Sequence, residues 1–364
     1  GVLAAQNLNT SRGLGHNIRG IVSIAPTNNQ DFVHNTTPYL VIYGSSDGDV
    51  SGAADGVNPF LIYDRAGTPK AMVFIYGAIH NRFSTNADWL DPNNIDNDDA
   101  RAISEADHQN IAKGYATAFF ERHFRQIQEF DSQFKRNGRP PSVAAVEIHH
   151  QFSETGALVV DNFDDAGHNA AQNALTLPVT QTDLANPTGQ ATPLVEFDLH
   201  AGAPPFVHAT FGGLIAWDSN TAVYRSALGS RDVTAFQVLA FRVTQRLGSG
   251  RNPANTAQDF FVRLTDTADR SAAVQLSTVT SIPFPFQRHD HSVHAGPLGS
   301  QRFVDVLPDS PALNKSALKT IRLPLTAFKT ENPQLDLGAL KTLAFEFRQT
   351  ARGEIVIDDV EFSN

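Results

Sequence analysis

Three short apolar stretches near the start of the chain constrain its fold more than any other feature. They are IRGIVSIAP at residues 18–26, YLVIYG at 39–44 and AMVFIYG at 71–77, and turn residues bound each of them. Runs that are apolar at nearly every position are typical of strands buried on both faces of a parallel sheet. Between the last two, the segment from Asn58 to Ala66 can form the crossover helix that parallel neighbours need. Residues 18–80 therefore predict a β-loop-β-α-β unit.

A long helix follows, and a change of pattern after it marks a domain boundary. Between Ser104 and Gln133 apolar residues recur at helical spacing, and Ser104 with Asp107 provides a capping-box type of start. Residues 135–142, KRNGRPPS, concentrate proline, glycine and basic residues, and the pattern becomes strand-like beyond them. We predict an α/β domain over residues 1–137 and an all-β domain over residues 138–364.

The second half of the chain has short strand-like runs separated by polar turns, with no helical pattern between them. This arrangement predicts an antiparallel β-sandwich. In the last run the apolar residues change face at Asp358 and Asp359, so we expect a β-bulge there that returns both apolar sets to the core. Such runs include residues 157–161, 193–199, 260–264, 320–325, 342–347 and 354–362.

Composition argues against several classes of protein. A chain of 364 residues with 41% hydrophobic content exceeds what one core usually supports, which agrees with two domains. The net charge of −10 argues against nucleic acid as a partner, because its binding needs a clustered basic face. The absence of cysteine excludes disulfides, a thiolate nucleophile and cysteine-ligated metals. No apolar run approaches the roughly 18 residues that span a bilayer, so we expect no membrane partner.

Two loops carry the residue types of a catalytic site. The strand at 39–44 runs into GSSDGDV, which contains Asp47, and the strand at 71–77 runs into GAIH, which ends at His80. The carboxyl ends of parallel strands meet at one edge of the sheet, where α/β proteins assemble their sites. An acid loop followed by a histidine loop is also the chain order of the α/β-hydrolase triad. We therefore predict Asp47 as the acid and His80 as the base of a Ser-His-Asp triad.

The same loops resemble those of a known family. Gly44 to Val50 matches the G-x-x-D-x-x-V acid loop, and Gly77 to His80 matches the G-x-x-H histidine loop, of the dienelactone-hydrolase-like and polyester-hydrolase-like esterases. The resemblance covers about residues 1–130 and implies the C-terminal portion of an α/β-hydrolase sheet, acting on small-molecule or polymeric carboxylic esters without a required cofactor. It also implies that Gly1 to Gln6 follows the nucleophile elbow. The serine would then precede Gly1, and the chain as given should not hydrolyse esters alone.

Alternatives remain open within this site. Asp49, in the same loop, is the alternative acid. Residues 44–48, GSSDG, themselves satisfy G-x-S-x-G with Ser46 as the nucleophile, although the Gly- and Asp-rich residues after them disfavour the helix that an elbow needs. A lyase or isomerase on the same fold would also use Asp47 and His80, but without an acyl-enzyme.

Three further polar clusters are candidates for other roles. Residues 88–99, DWLDPNNIDNDD, could hold a structural calcium ion but lack the EF-hand spacing, and we favour a solvated loop near the edge of the active site. His289 to His291, with His294, offers ligands for a transition metal, and we favour an exposed loop there. His149 and His150 would point to opposite faces of a strand, which disfavours joint ligation, and we expect both at the surface.

The all-β domain resembles the jelly-roll modules of the galactose-binding and carbohydrate-binding group, through VDNFDD at 160–165, KTIRLPLTAF at 319–328 and IDDVEF at 357–362. This resemblance implies a jelly-roll-like sandwich and carbohydrate as a further partner. The alternative function is therefore that of a non-catalytic carbohydrate- or polymer-binding surface protein. Trp217 is a weak candidate for a ligand face, because core packing suits it better. The missing initial Met, the acidic cysteine-free chain and the appended sandwich predict a secreted or periplasmic protein.

Overall fold

The chain forms two compact units, Gly1–Thr155 with Phe286–Asn314, and Gly156–Pro285 with Lys315–Asn364. The computed structural model describes residues 10–16, 18–27, 37–47, 50, 52, 58–67, 69–85, 103–135, 143, 145–164, 167–200, 206–286 and 315–364, and the backbone of strands at 291–295 and 301–306. The expected division at residue 138 lies before a strand of the first unit, because residues 148–153 pair with the sheet of that unit.

The first unit contains a mixed four-stranded sheet within its described residues. β1 (Ile21–Ile24), β2 (Tyr39–Gly44) and β3 (Lys70–Ile75) are parallel neighbours, as the apolar runs predict. β4 (Ile148–Ser153) closes the order β1-β2-β3-β4 and runs antiparallel to β3. Every residue of β2 is buried, which explains why its sequence is apolar throughout.

Two helices with well-defined starts accompany the sheet. The crossover helix α1 (Pro59–Arg65) lies between β2 and β3 as predicted, with the Asn58 side chain accepting a hydrogen bond from the Phe60 N–H and proline at the first helical position. α2 (Glu105–Phe124) begins after Ser104, whose hydroxyl accepts the Asp107 N–H at 3.1 Å, also as predicted.

The predicted long helix ends earlier than expected. α2 ends at Phe124, and a 3-10 turn (Gln128–Phe130) and the short helix α3 (Asp131–Lys135) follow. One apolar face of α2 packs on the sheet through Ile111, Tyr115 and Phe119, at helical spacing. Each such buried side chain contributes about 1.5–3 kcal/mol. Their partners on the sheet include Leu40, Ile42, Val73 and Ile75.

The second unit is a β-sandwich. Its described strands are β5 (Leu158–Asp161), β6 (Val179–Thr182), β7 (Leu184–Ala185), β8 (Leu194–Asp198), β9 (Phe211–Trp217), β10 (Val223–Arg231), β11 (Val238–Gln245), β12 (Phe261–Asp266), β13 (Ser271–Gln275), β16 (Lys319–Pro324), β17 (Leu340–Glu346) and β18 (Gly353–Ser363). The two strands numbered between β13 and β16, β14 (His291–Ala295) and β15 (Gln301–Val306), form a hairpin that belongs to the first unit. Among the described residues, one sheet has the order β13-β12-β17-β10-β6. The other has the order β16-β11-β18-β9-β7, with β5 beside β18 and β8 beside β9.

The two sheets share one apolar core. The chain passes repeatedly from one sheet to the other, although β7, β8 and β9 follow one another in one sheet and β12 and β13 in the other. The predicted bulge in β18 is confirmed, because Arg242 lies opposite Asp358 whereas Ala240 lies opposite Glu361. Asp359 takes the extra position with a φ of 45°. Both apolar sets of β18 therefore reach the core, namely Ile355, Ile357, Val360 and Phe362.

The sandwich core includes Trp217 and two residues of a short helix after β16. Trp217 is fully buried and stacks on Phe347 with ring centroids 4.4 Å apart, so core packing is its role. The short helix α4 (Leu325–Glu331) follows β16 directly, which the strand-like pattern did not predict. Its buried Leu325 and Phe328 belong to the sandwich core, so an apolar pair at i, i+3 spacing underlies it.

Candidate functional site

The acid loop leaves the carboxyl end of β2 and places Asp47 in a buried position. The side chain of Asp47 is fully shielded from solvent, and its Oδ1 accepts the Val50 N–H at 2.7 Å. The Tyr43 hydroxyl donates to the Val50 carbonyl at 2.7 Å, so a strand residue holds the far end of the loop. The carboxylate therefore has a fixed orientation before any histidine is considered.

The histidine loop leaves the neighbouring strand β3 and contacts the acid loop through its backbone. Gly77 has a φ of 75°, a left-handed conformation that glycine adopts without steric cost. The Gly77 N–H donates to Ser45 Oγ at 2.8 Å, and the Ser46 N–H donates to the Ala78 carbonyl at 3.0 Å. A Cβ on Gly44 would lie 2.3 Å from that same carbonyl oxygen, so glycine is required where the loops meet.

These two loops bring the predicted acid and the predicted histidine together. His80 Nδ1 lies 3.0 Å from Asp47 Oδ2, and the His80 side chain keeps 30% of its surface exposed while the Asp47 side chain keeps none. The buried carboxylate accepts the Nδ1–H, which selects the neutral tautomer in which Nε2 carries no proton. Such a pair can take up a proton at Nε2 and stabilise the resulting imidazolium. The catalytic role of both residues stays a prediction.

Of the two alternative residues of the acid loop, the structure describes Ser46. Asp49 lies outside the described residues. Ser46 is fully buried in a turn, and the described residues after it, Asp47 and Val50, are not helical. A nucleophile elbow passes directly from its serine into a helix, so this geometry gives Ser46 no support as a nucleophile.

A buried histidine that the sequence did not single out contacts the same loop. His108, near the start of α2, is fully buried, and its Nε2 accepts the Ile79 N–H at 2.8 Å. Its Nδ1–H donates to the Ser104 carbonyl at 2.8 Å. The spacing of Ser104 and His108 in the first turn of a predicted helix is the only signal in the sequence that points to this position.

The expectation that His149 and His150 are surface residues was wrong. Both are buried in β4, where the tertiary structure supplies a partner for one ring nitrogen of each. His150 Nε2 lies 2.7 Å from the Tyr115 hydroxyl of α2, and His149 Nδ1 lies 3.4 Å from the Tyr76 hydroxyl. The two rings therefore contact different partners, as their alternation on a strand predicts.

The candidate metal ligands cannot be placed together. Residues 88–99, His289 and Asp290 lie outside the described residues, and of the strand that carries His291 and His294 only the backbone is described. Elsewhere in the described ranges, no group of three histidine or carboxylate side chains is arranged to hold a metal ion. The structural calcium ion stays a prediction. No helix among the described residues is both long and apolar enough to cross a bilayer.

The outer face of the five-stranded sheet carries a second group of polar and aromatic side chains. Arg263 makes a bidentate pair with Glu346, with N–O distances of 2.5 and 3.2 Å. The Arg348 guanidinium lies 4.0 Å above the ring of Phe261 and 3.3 Å from Glu346. Ala344, opposite Arg263 in the ladder, places a small side chain beside this group. We call Phe261, Arg263, Glu346 and Arg348 the sheet-face cluster.

Comparisons with known proteins give only distant likenesses. No family model and no curated protein matches the sequence. A family 11 carbohydrate-binding module of a cellulosomal cellulase of Clostridium thermocellum matches with 12% identity and a TM-score of 0.30, over 58% of this chain and 96% of the module. A family 30 module of another cellulosomal cellulase of that organism matches with 11% identity and a TM-score of 0.29, over 57% and 93%. An exo-β-agarase matches with 9% identity and a TM-score of 0.30, over 57% of this chain and 24% of the enzyme.

Proposed function

We propose that the first unit supplies the acid and the base of a serine-dependent carboxylic ester hydrolase, as the C-terminal portion of an α/β-hydrolase domain. The observation that carries this proposal is the 3.0 Å contact between His80 Nδ1 and the buried Asp47 carboxylate. Both residues follow adjacent parallel strands, at the sheet edge where α/β enzymes assemble their sites.

The proposed chemistry follows from the tautomer that Asp47 selects. The Nε2 of His80 takes the proton of a serine hydroxyl as its oxygen attacks the ester carbonyl, and then delivers that proton to the departing alcohol oxygen. Water repeats the cycle on the acyl-enzyme and releases the acid. Asp47 stays ionised and stabilises the imidazolium that forms in each half. In this proposal the serine lies on a segment that precedes Gly1, and Ser46 is the alternative.

Hydrolysis of p-nitrophenyl esters tests the proposal. We would assay the 364-residue chain and a chain extended N-terminally along its gene, each with and without His80→Ala. The matched control is His16→Ala, because His16 is exposed and lies in the same unit. We expect activity in the extended chain only, lost with His80→Ala and kept with His16→Ala.

The other outcomes are equally decisive. Activity in the short chain that His80→Ala removes would favour Ser46 as the nucleophile, and Ser46→Ala would then abolish it. Activity that survives His80→Ala, or no hydrolysis by either chain, would overturn the ester-hydrolase proposal. Inhibition of the active form by a serine-directed phosphonate would separate a hydrolase from a lyase or isomerase, because only the hydrolase uses the serine covalently.

A second candidate function, carbohydrate binding by the second unit, is favoured by the sheet-face cluster. Sugars present apolar C–H faces beside pairs of hydroxyls, which suit an aromatic ring next to planar charged groups. The stacked Phe261 and Arg348 and the bidentate Arg263 and Glu346 pair offer both features on one sheet face. This candidate makes the sandwich a polysaccharide-binding module, whatever the first unit does.

Affinity electrophoresis in gels that contain soluble β-glucans, xylan or agarose tests this candidate. If a polysaccharide retards the chain, we expect Arg263→Ala and Phe261→Ala to weaken its binding by about ten- to hundredfold. The control is Lys341→Ala, because Lys341 is exposed and pairs only with the exposed Asp269 among the contacts described. No retardation by any polysaccharide, or equal retardation of all variants, would remove the cluster as a carbohydrate site.

A further inference from the structure

The backbone of the histidine loop is bonded from two sides, and His108 bonds the residue before His80. On one side the acid loop bonds Gly77 and Ala78 through Ser45 and Ser46. On the other side the segment at the start of α2 bonds the loop twice, because the Ile103 N–H donates to the Gly77 carbonyl at 2.9 Å and His108 Nε2 accepts the Ile79 N–H. His108 therefore fixes the peptide unit between Ala78 and Ile79, and Ile79 directly precedes His80.

The hydrogen bonds of His108 define its tautomer and its charge. Nε2 accepts a backbone N–H, so it carries no proton, and the single ring proton resides on Nδ1, facing the Ser104 carbonyl. A doubly protonated ring would oppose the Ile79 N–H with a second donor and break that bond. The neutral ring is thus the only form that holds the loop as observed.

We propose that His108 is a positioning residue for His80, which in its neutral form holds the Ile79 amide and so keeps the His80 ring aligned with Asp47. The functional meaning of this inference rests on the proposed catalytic role of His80. The effect of His108 on the alignment of His80 with Asp47 can be tested without that role. His108 is fully buried and acts on His80 through the Ile79 amide. It also makes the Asp47 and His80 pair dependent on a third titratable group.

The surroundings of His108 favour the neutral ring. Burial lowers the pKa of His108; the hydrogen bond to the Ser104 carbonyl opposes this, and the positive charge of Arg82 adds to it. Asp107 and Glu105, in the first turn of α2, act in the opposite direction. The Phe83 ring lies edge-on to the imidazole with centroids 5.1 Å apart. Acid pH should therefore release the histidine loop through His108, below the usual titration range of histidine.

Nuclear magnetic resonance of the histidine rings tests the inference on the 364-residue chain without any need for enzyme activity. The probes are the low-field proton that His80 Nδ1 shares with Asp47 and the hydrogen exchange of the Ile79 amide. The variants are His108→Gln, whose side-chain oxygen can still accept the Ile79 N–H, and His108→Leu, which cannot. The matched control is His208→Leu, because His208 is equally buried and its Nε2 accepts the Leu318 N–H at 3.0 Å in the other unit.

We expect His108→Leu to lose the low-field signal and to accelerate Ile79 exchange by about tenfold, the effect of one lost hydrogen bond. His108→Gln should restore both, and His208→Leu should change neither. Should His108→Leu fail to fold, the wild-type pH titration decides, because the His80 signal must then change together with protonation of His108 and this step must vanish in His108→Gln. If the low-field His80 signal stays unchanged when His108 is protonated or replaced, the inference is overturned. Ester hydrolysis is scored separately, so its absence would remove the proposed function and leave this result standing.

Discussion

Asp47 makes two bonds through different oxygens, so its replacement by asparagine changes charge more than position. Oδ1 is held by the Val50 N–H and Oδ2 faces His80. In the ester-hydrolysing form, we expect Asp47→Asn to lower kcat/KM by about 10³- to 10⁴-fold, because the imidazolium loses its stabilising carboxylate. Steady-state hydrolysis of p-nitrophenyl esters measures this. Asp49→Asn is the control, and the reverse pattern of losses would make Asp49 the acid.

At the residue scale, the sequence predicts best the positions of side chains that stand in a recognisable local motif. Asp47 and His80 follow apolar runs and stand in short motifs, so their approach could be predicted. His149 and His150 have no such local signal, and the only one for His108 is its spacing from Ser104. The partners that bury these three rings come from other elements. Whether a histidine on a strand or helix is buried depends on those partners, which no local pattern encodes.

At the scale of elements, the close approach of the loops after β2 and β3 depends on one glycine. A Cβ at residue 44 would lie 2.3 Å from the Ala78 carbonyl oxygen, a backbone atom that cannot turn aside. We expect Gly44→Ala to lower the free energy of unfolding by about 1–3 kcal/mol, and to remove the low-field His80 signal as the loops separate. Urea denaturation measures the first effect.

The control for this substitution is Gly250→Ala, because a Cβ at Gly250 meets no atom within 4 Å. It should change the free energy of unfolding by less than about 0.5 kcal/mol. If Gly44→Ala is as mild as Gly250→Ala and keeps the His80 signal, the loops do not need their observed contact to align the pair.

The elements themselves differ in how far they could be predicted. β2 and β3 follow from continuous apolar runs, and α1 follows from the crossover that these parallel neighbours need. The bulge in β18 follows from a change of apolar face at an Asp pair. β4 was missed, because its sequence IHHQFS carries three polar residues that are buried. They are accommodated by tertiary partners, such as the Met72 sulfur that accepts from Gln151. A strand stabilised in this way lacks the apolar pattern on which sequence prediction depends.

Glu354, at the start of β18, joins this strand to two neighbouring loops. Its side chain is fully buried and accepts hydrogen bonds from Thr188, Arg246 and Ser249. We expect Glu354→Gln to lower the free energy of unfolding at pH 7 by about 2–3 kcal/mol, because the arginine then lacks its buried counter-charge. Asp218→Asn is the control, because Asp218 is half-exposed where it binds Arg251 and should contribute less than about 1 kcal/mol.

The same residue sets a pH dependence of stability with a definite sign. Burial alone would raise the pKa of Glu354, but the hydrogen bonds from Thr188 and Ser249 and the charge of Arg246 outweigh it, so the pKa lies below its usual 4.5. Its stabilising contribution is therefore complete above pH 4.5 and is lost as the pH falls through the lower, folded-state value. Below pH 4.5, the thermal unfolding temperature of the wild type should fall more steeply with decreasing pH than that of Glu354→Gln. Parallel curves would show that Glu354 titrates in the folded protein as it does in the unfolded one.

At the scale of the whole molecule, the two units interleave along the chain. Phe286–Asn314 belongs to the first unit, although it lies between strands β13 and β16 of the sandwich. The composition change at 135–142 pointed to a single boundary, because local patterns report where one type of structure gives way to another. A segment that leaves one unit and joins the other is defined by contacts distant in sequence, and no local pattern records it.

Because the two proposed sites lie on separate compact units, a substitution in one site should leave the activity of the other unchanged. This independence is the sharpest test of the molecule as a whole. The Asp47 and His80 pair lies in the first unit and the sheet-face cluster in the second. We expect His80→Ala to abolish ester hydrolysis and leave polysaccharide retardation within about twofold, and Arg263→Ala to do the reverse, because sites with no common partner among their described contacts should be additive. The double variant should show the sum of both losses in the same two assays. A loss of hydrolysis on soluble p-nitrophenyl esters in Arg263→Ala would contradict this independence, and would mean that the sandwich contributes to the catalytic unit itself.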